Sequence, residues 1–327
     1  MRDLLGSEWW SDVLIRASIG TLAAVGIANV KVLAEPGVAY LLQYSEEGCL
    51  AECHFCSQSS KSRASKDLLS RVVWPVVELE NVAPKLAEKF ERTCVQSVIK
   101  PHFVEELHQI VKTLSHYGLK ISLSTTPIPS SDLRTFKSEG VDFLGVGLDA
   151  ATPEVARKVG KPYPYEAYLD FVEKAVEVFG RGRVVVHLVV GLGESIRDAV
   201  ETIAKIHALG ARVSLFAFTP VGGTPMERWP RPPLRYYRVL QIANYLLSNG
   251  APTESIVDID RVCVRSSVGE GLEVLRTLSM ALLTSGCPSC NRPYYTESPR
   301  GELYNYPLAA QLPPVEELLR ELSCDIS

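Results

Sequence analysis

The sequence predicts an α/β protein: a partial (β/α)6 parallel barrel with an N-terminal helical extension and a C-terminal, cysteine-containing irregular extension. Three observations predict it. Six short runs rich in Val, Ile and Leu alternate with longer amphipathic runs, the pattern of repeated strand–helix units. Runs such as "RVVVHLVVG" (183–191) are apolar without alternation, which fits strands buried on both faces of a parallel sheet. Right-handed crossovers wind such units towards a barrel, and six of them fall short of the eight that close one.

The elements follow in order. "VLIRASIGTLAAVGIANVKVL" (13–33) reads as a buried N-terminal helix; Arg16 and Lys31 interrupt it too strongly for a membrane span. "VAYLLQY" (38–44) is the first strand and runs straight into a cysteine loop. Residues 65–90 read as mostly helical, with Pro75 and Pro84 as breaks. Strands at 94–100, 120–125, 142–149, 183–191 and 212–220 are followed by helices at 104–118, 130–140, 165–180, 194–210 and 234–250. Gly118 is a typical helix stop. After residue 250 the rhythm fails: "IVDIDRVCVRSS" suits one more strand, an irregular tail follows from 285, and 315–323 is a short final helix. The expected division is an extension over 1–37, the barrel over 38–250 and a C-terminal extension over 251–327.

Composition removes several classes of function. A net charge of −4 gives no electrostatic case for nucleic acid as a partner. Eight cysteines in 327 residues are too sparse for a disulfide scaffold. The start "MRDLLGSEWW" lacks the charged-then-apolar order of a secretion signal. A cytoplasmic protein with reduced thiols and no membrane association is the expectation.

The chemistry concentrates in "GCLAECHFCSQ" (48–58), where Cys49, Cys53 and Cys56 are spaced C-x3-C-x2-C. Thiolates select soft metals, among them zinc and iron–sulfur clusters. Structural zinc takes four closed ligands. Three cysteines in one loop can instead hold three corners of a [4Fe–4S] cube and leave one iron open. At the carboxyl end of a parallel strand the loop lies where α/β barrels place their chemistry.

Placed after the first of six strand–helix units, this loop resembles that of the radical S-adenosylmethionine superfamily. The resemblance covers roughly 38–220 by element order. It implies that the open iron binds S-adenosyl-L-methionine and that a 5′-deoxyadenosyl radical takes a hydrogen atom from the substrate. It also implies cofactor contacts from Phe55, from Asp149 in "GLDA", from Gly191, Gly193 and Glu194 in "GLGES", and from Thr219 and Pro220 in "TPVGGTPM". The plainer alternatives are a helix cap for Asp149, a tight turn with a helix-start charge for Glu194, and an ordinary Gly/Pro turn at 219–226. One departure stands out: the family's glycine-glycine-glutamate motif after strand two is replaced by "VIKPHF", so Lys100 or His102 would occupy that place.

A second set, Cys287 and Cys290 in C-P-S-C with Cys263 upstream, suggests an auxiliary [4Fe–4S] cluster; its resemblance to lipoyl synthases, which use a serine from an Arg-Ser-Ser stretch near the chain end, implies Ser266 or Ser267 as the fourth ligand, and a structural zinc is the alternative. Cys94 and His187 read as core residues and Cys324 as incidental. The tail "GCPSCNRPYYTESPRGELYNYP" (286–307) resembles one component of archaeal-type two-protein lipoyl synthases. That resemblance implies a sulfurtransferase acting on an octanoyl chain of a lipoyl carrier domain, with cluster sulfide as the sulfur source. It also implies a second radical enzyme as partner and an electron donor such as ferredoxin. The alternatives are a biotin-synthase-like or other small-molecule radical enzyme whose auxiliary cluster is not consumed, and a zinc-stapled binding protein. The arginine- and aromatic-rich stretch 228–238 could meet an acidic carrier or be a solvated helix start. Tyr294, Tyr295, Tyr304 and Tyr306 could line a tunnel or pack the tail.

Overall fold

The chain enters its main sheet through β1 (Leu14–Ala17), followed by α1 (Ile19–Ala24), in a computed structural model that describes residues 13–251, 253–265, 277–297 and 301–324. The continuous helix expected over 13–33 is therefore replaced by a strand and one short helix. Ser18 makes the break: its hydroxyl accepts from Thr21 N and caps α1. Arg16 is buried by this strand and pairs with Asp67 at 2.6 Å. No helix of the described residues is long and apolar enough to cross a membrane.

Next come β2 (Ala39–Gln43), the cysteine loop, a hairpin of Leu68–Leu69 with Val72–Val73, β3 (Val76–Glu78) and α2 (Leu79–Lys89). The helix expected over 65–90 is thus confined to Leu79–Lys89. Pro75 stands between the hairpin and β3, whereas Pro84 sits within α2, with no N–H to offer the Glu80 carbonyl.

The repeats then run β4 (Arg92–Gln96), α3 (Phe103–His116), β5 (Lys120–Thr125), α4 (Ser130–Ser138) and β6 (Val141–Asp149). They continue through α5 (Pro153–Lys158), α6 (Tyr165–Phe179), β7 (Val184–Val190), α7 (Ile196–Leu209), β8 (Arg212–Ala217) and α8 (Leu234–Ser248). The sheet order is β8-β7-β6-β5-β4-β2-β1-β3, with β2 and β4 to β8 parallel and β1 antiparallel to both its neighbours. The six predicted strands are thus the parallel part of an open sheet.

Alternation along the strands separates two cores. Ala39 and Leu41 face the helices and join the large outer core. Val38, Tyr40 and Leu42 face inwards with Trp74 and Val98, and Cys49, Cys94, Cys290 and Tyr295 pack on them. Gly145 keeps the interior open, since a Cβ there would meet Ser124 Oγ at 2.2 Å.

A smaller core forms where α8 meets the C-terminal segment, through Val239, Ile242, Leu246, Val257, Val264, Leu282, Leu318 and Leu322. It includes a two-stranded pair, β9 (Val257–Asp258) with β10 (Cys263–Val264), and the expected final helix, α9 (Val315–Leu322). From here the tail turns back into the sheet. Ser285 accepts from Ser214 Oγ at 2.5 Å and from Leu215 N at 3.2 Å on β8, while Arg292 N donates to Tyr40 Oη of β2 at 2.7 Å. The tail thereby touches β8 and β2, two strands that do not pair with each other.

Candidate active site

The cysteine loop leaves β2 at the carboxyl end of the parallel strands. Its backbone is closed by Cys49 N to Gln58 O (2.7 Å), Leu50 N to Ile99 O (2.8 Å) and Cys56 N to Cys53 O (3.2 Å). Ile99 N donates to Cys49 Sγ at 3.2 Å. All three thiols are free and line one cavity of about 300 Å³. Burial pushes the Cys53 thiol up to about 12 and the Cys56 thiol to about 11. These thiols stay protonated until a cationic centre draws them into ligation.

The spacing tests which centre fits. A tetrahedral zinc with Zn–S near ~2.3 Å would draw its sulfurs to within about 4 Å of one another. Among the described residues, the only group of three potential ligands within 4.8 Å of one another is Asp258, Cys263 and Cys324. The loop cysteines are not among them and face shared empty space. They fit a larger, three-point centre such as an iron–sulfur cube.

Opposite the loop stand Asp149 and Lys161. Asp149 ends β6 at φ 63°, and its carboxylate pairs with Lys161 Nζ at 2.6 Å. The same ammonium donates to Gly147 O at 2.7 Å and lies 4.9 Å from the Tyr168 ring centroid. Burial disfavours its charge, but Asp149 and then Cys53 overcome this, and its pKa is raised above the ordinary value. A buried, permanently positive group beside the cysteine loop can hold a carboxylate. Nothing in the sequence singled out Lys161, because a lysine in a loop after a short helix has no spacing of its own.

The other expected contacts divide. Phe55, Asp149 and Thr219 line the cavity; Gly191, Gly193, Glu194 and Pro220 are not part of its wall. The Glu194 carboxylate instead accepts from Gly191 N at 2.6 Å and Leu192 N at 2.9 Å, closing its own turn, which is the plainer alternative. Lys100 pairs with Glu106 at 2.5 Å and donates to Tyr44 O, and His102 is exposed, so neither lines the cavity.

The second cysteine set is corrected by the structure. Cys263 is bonded to Cys324, so it is not a partner of Cys287 and Cys290, Cys324 is not incidental, and not all thiols are reduced. Ser266 and Ser267 lie outside the described residues. The cysteine that joins Cys287 and Cys290 is Cys94 of β4, whose pKa is raised first by burial and then by those two neighbours. Burial likewise lifts Cys287 to about 11. Tyr40 Oη lies 3.6 Å from Cys290 Sγ, and Arg292 stacks 3.6 Å from the Phe216 ring centroid. Cys94 escaped the sequence reading because its two partners lie almost two hundred positions away.

His187 is not a plain core residue either. It lines the cavity, its ring meets Phe216 edge-on with centroids 5.1 Å apart, and burial followed by Arg292 lowers its pKa to about 4. Tyr295 also lines the cavity, whereas Tyr304 and Arg238 are buried in the tail's packing. Within 228–238, Arg231, Arg235 and Arg238 spend their guanidinium groups on backbone carbonyls, so the stretch is chiefly internal bracing.

Comparison with known proteins adds a frame. Residues 46–206 match the family described as Radical SAM superfamily. The biotin synthase of Bordetella avium (strain 197N) is 26% identical over 216 residues, covering 62% of this chain and 64% of that protein. The biotin synthase of Cenarchaeum symbiosum (strain A) is 26% identical over 291 residues, covering 84% and 86%. The chain spans 64% of the length of the Bordetella protein and 60% of the biotin synthases of Acidithiobacillus ferrooxidans. In architecture it is similar to methylornithine synthase (TM-score 0.50, 16% identity, 86% of this chain and 80% of that one). It is also similar to HydG, a maturase of the [FeFe]-hydrogenase (TM-score 0.51, 14% identity, 63% and 49%). At such identities these likenesses speak for the fold alone.

Proposed function

Because residues 46–206 match the Radical SAM superfamily, we propose that this chain is a radical S-adenosylmethionine enzyme that inserts sulfur into an unactivated acyl chain. The observation that carries the proposal is the convergence of three free thiols, Cys49, Cys53 and Cys56, on one cavity at the carboxyl end of the parallel strands. Cys49, Cys53 and Cys56 would hold a [4Fe–4S] cluster there, which would supply an open iron for S-adenosylmethionine and the electron for its reductive cleavage.

The chain's own residues do the rest. Lys161, fixed by Asp149, presents a positive charge to the cofactor's carboxylate. Asp149 has a second oxygen for a ribose hydroxyl, and Phe55 offers a ring face to the adenine. Phe216, Phe218 and Tyr295 wall the inner cavity with aromatic surface that keeps water from a reactive carbon. Cys94, Cys287 and Cys290 would hold an auxiliary cluster on the inner face of the sheet, and it would supply the inserted sulfur.

The substrate in this reading is an octanoyl chain on a lipoyl carrier domain, with a second radical enzyme as partner and a ferredoxin-type electron donor. A second reading is favoured by the relatives' name: a small molecule of the biotin-precursor kind, with the auxiliary cluster holding the same place.

One anaerobic experiment separates these. Reconstituted protein should carry about eight irons per chain for two cubes. Incubated with reductant and S-adenosylmethionine, it should release 5′-deoxyadenosine and convert an octanoylated carrier peptide to a thiol-bearing product. Turnover of a small-molecule acceptor alone would favour the second reading. A colourless chain containing only zinc would end both.

A further inference from the structure

The cysteine loop is itself held from beneath by one lysine. We propose that Lys66 is a positioning residue for the centre bound by Cys49, Cys53 and Cys56: it fixes the loop and sets the reduction potential of that centre. The inference rests on the reading of those cysteines as cluster ligands.

The geometry is a hub. Lys66 Nζ donates to the carbonyls of Ser57 (3.2 Å), Ser59 (2.8 Å) and Ser62 (3.3 Å), which pulls the strand of chain after Cys56 into a tight curl. Gln58 locks the same curl from the other side, its Nε2 donating to Lys66 O at 2.8 Å and Leu68 O at 2.6 Å. The curl passes its geometry directly to the ligands. Gln58 O accepts from Cys49 N at 2.7 Å, and Ser59 N donates to Cys56 O at 3.2 Å. The lysine stem runs against Gly48, where a Cβ would come within 2.9 Å of both Cδ and Cε and within 2.5 Å of Gln58 O. Gly48 also has φ 80°, so the residue preceding the first ligand is glycine for two independent reasons.

The charge is the second half of the argument. Among the described residues Lys66 forms no ion pair, so neutral carbonyls orient its ammonium without cancelling it. Cys56 and then Cys49 lie within its electrostatic reach, with Glu47 a lesser neighbour. Accepting an electron adds negative charge to a centre already ringed by thiolates. A cation held within electrostatic reach of two of those ligands favours the reduced form and raises the potential, as charge and hydrogen bonding around a cluster generally do. The electron comes from a one-electron, low-potential donor of the kind the proposed reaction already requires.

The test uses the full-length chain reconstituted anaerobically, with Lys66→Met and Lys66→Arg beside the wild type. Iron and sulfide are counted per chain, release of iron to a chelator is timed, and the centre is titrated electrochemically by electron paramagnetic resonance. The radical centre is identified as the signal that changes when S-adenosylmethionine is added. Lys66→Met should shift the midpoint to a more negative potential and lose iron roughly ten-fold faster, within the range typical of supporting residues around metal ligands. Lys66→Arg should keep the wild-type midpoint. Loss of the cluster in Lys66→Met but not in Lys66→Arg would also support the assignment. An unchanged midpoint in Lys66→Met would overturn it while leaving the radical reading intact. Equal loss of the cluster in both variants, in chains that still unfold cooperatively, would overturn the charge argument. A wild type that takes up no cluster would remove the underlying reading as well.

Discussion

His187 shows how far one half-buried side chain in a cavity wall can govern behaviour. Its imidazole sits inside the sheet with a pKa lowered to about 4 by burial first and by Arg292 second. In the unfolded chain the ring takes up a proton near pH ~6.5. Between those two values the unfolded state binds more protons than the folded one, so this share of stability is present above the window and lost as pH falls through it. That depression corresponds to roughly 3 kcal/mol at full development. Thermal unfolding from pH 7 to 4.5 should therefore show a shallower acid loss in His187→Gln than in the wild type. Parallel curves would mean the ring is not held neutral in the cavity wall. The sequence showed a histidine in an apolar strand, but not which face it would take, since a strand buried on both sides carries no alternation to read.

Among the elements, the parallel strands were legible because six apolar runs each preceded an amphipathic helix. The elements that failed are those whose form depends on partners. Leu14–Ala17 is a strand only because Gln43 to Leu41 and Glu78 to Val76 pair with it on both sides. The apolar residues beside Pro75 are consistent with helix until β1 is there to receive them. The C-terminal segment gives a further case. Cys263 of β10 and Cys324 just past α9 are joined across 61 residues, and the bond lies under Arg235, which donates to Val262 O, Leu322 O and Ser323 O. Closing a loop of that length is worth about 4 kcal/mol on the chain-entropy estimate. Cys263→Ser should lower the unfolding midpoint by several degrees, and the wild type should show two fewer alkylatable thiols when denatured without reductant than with it. If both thiols react without reductant, the clasp is not formed in solution.

At the scale of the whole molecule, the chain brings two sets of three thiols to one side of one sheet. The first set is local, eight consecutive positions that any reader of the sequence can see. The second is assembled by topology: Cys94 comes from the second parallel strand, and Cys287 and Cys290 come from a tail that must pass around α8 and return to meet β8 and β2. No spacing rule predicts that return, which is why Cys263, nearer in sequence, was the natural but mistaken partner. The arrangement also makes the two sets separable. Cys94 pairs in register with Tyr40 and Ser122, in strand interiors, whereas Cys49, Cys53 and Cys56 hang on the loop beyond the strand ends. Replacing Cys94 by alanine should therefore remove about half of the iron and sulfide and abolish sulfur insertion. It should leave reductive cleavage of S-adenosylmethionine within a few-fold of the wild type. Cys53→Ala should do the reverse, ending cleavage while the inner centre remains. If Cys94→Ala kept its full iron complement, the proposed inner centre would have to be rebuilt from other ligands; if it lost cofactor cleavage altogether, the proposal of two independent centres would fail.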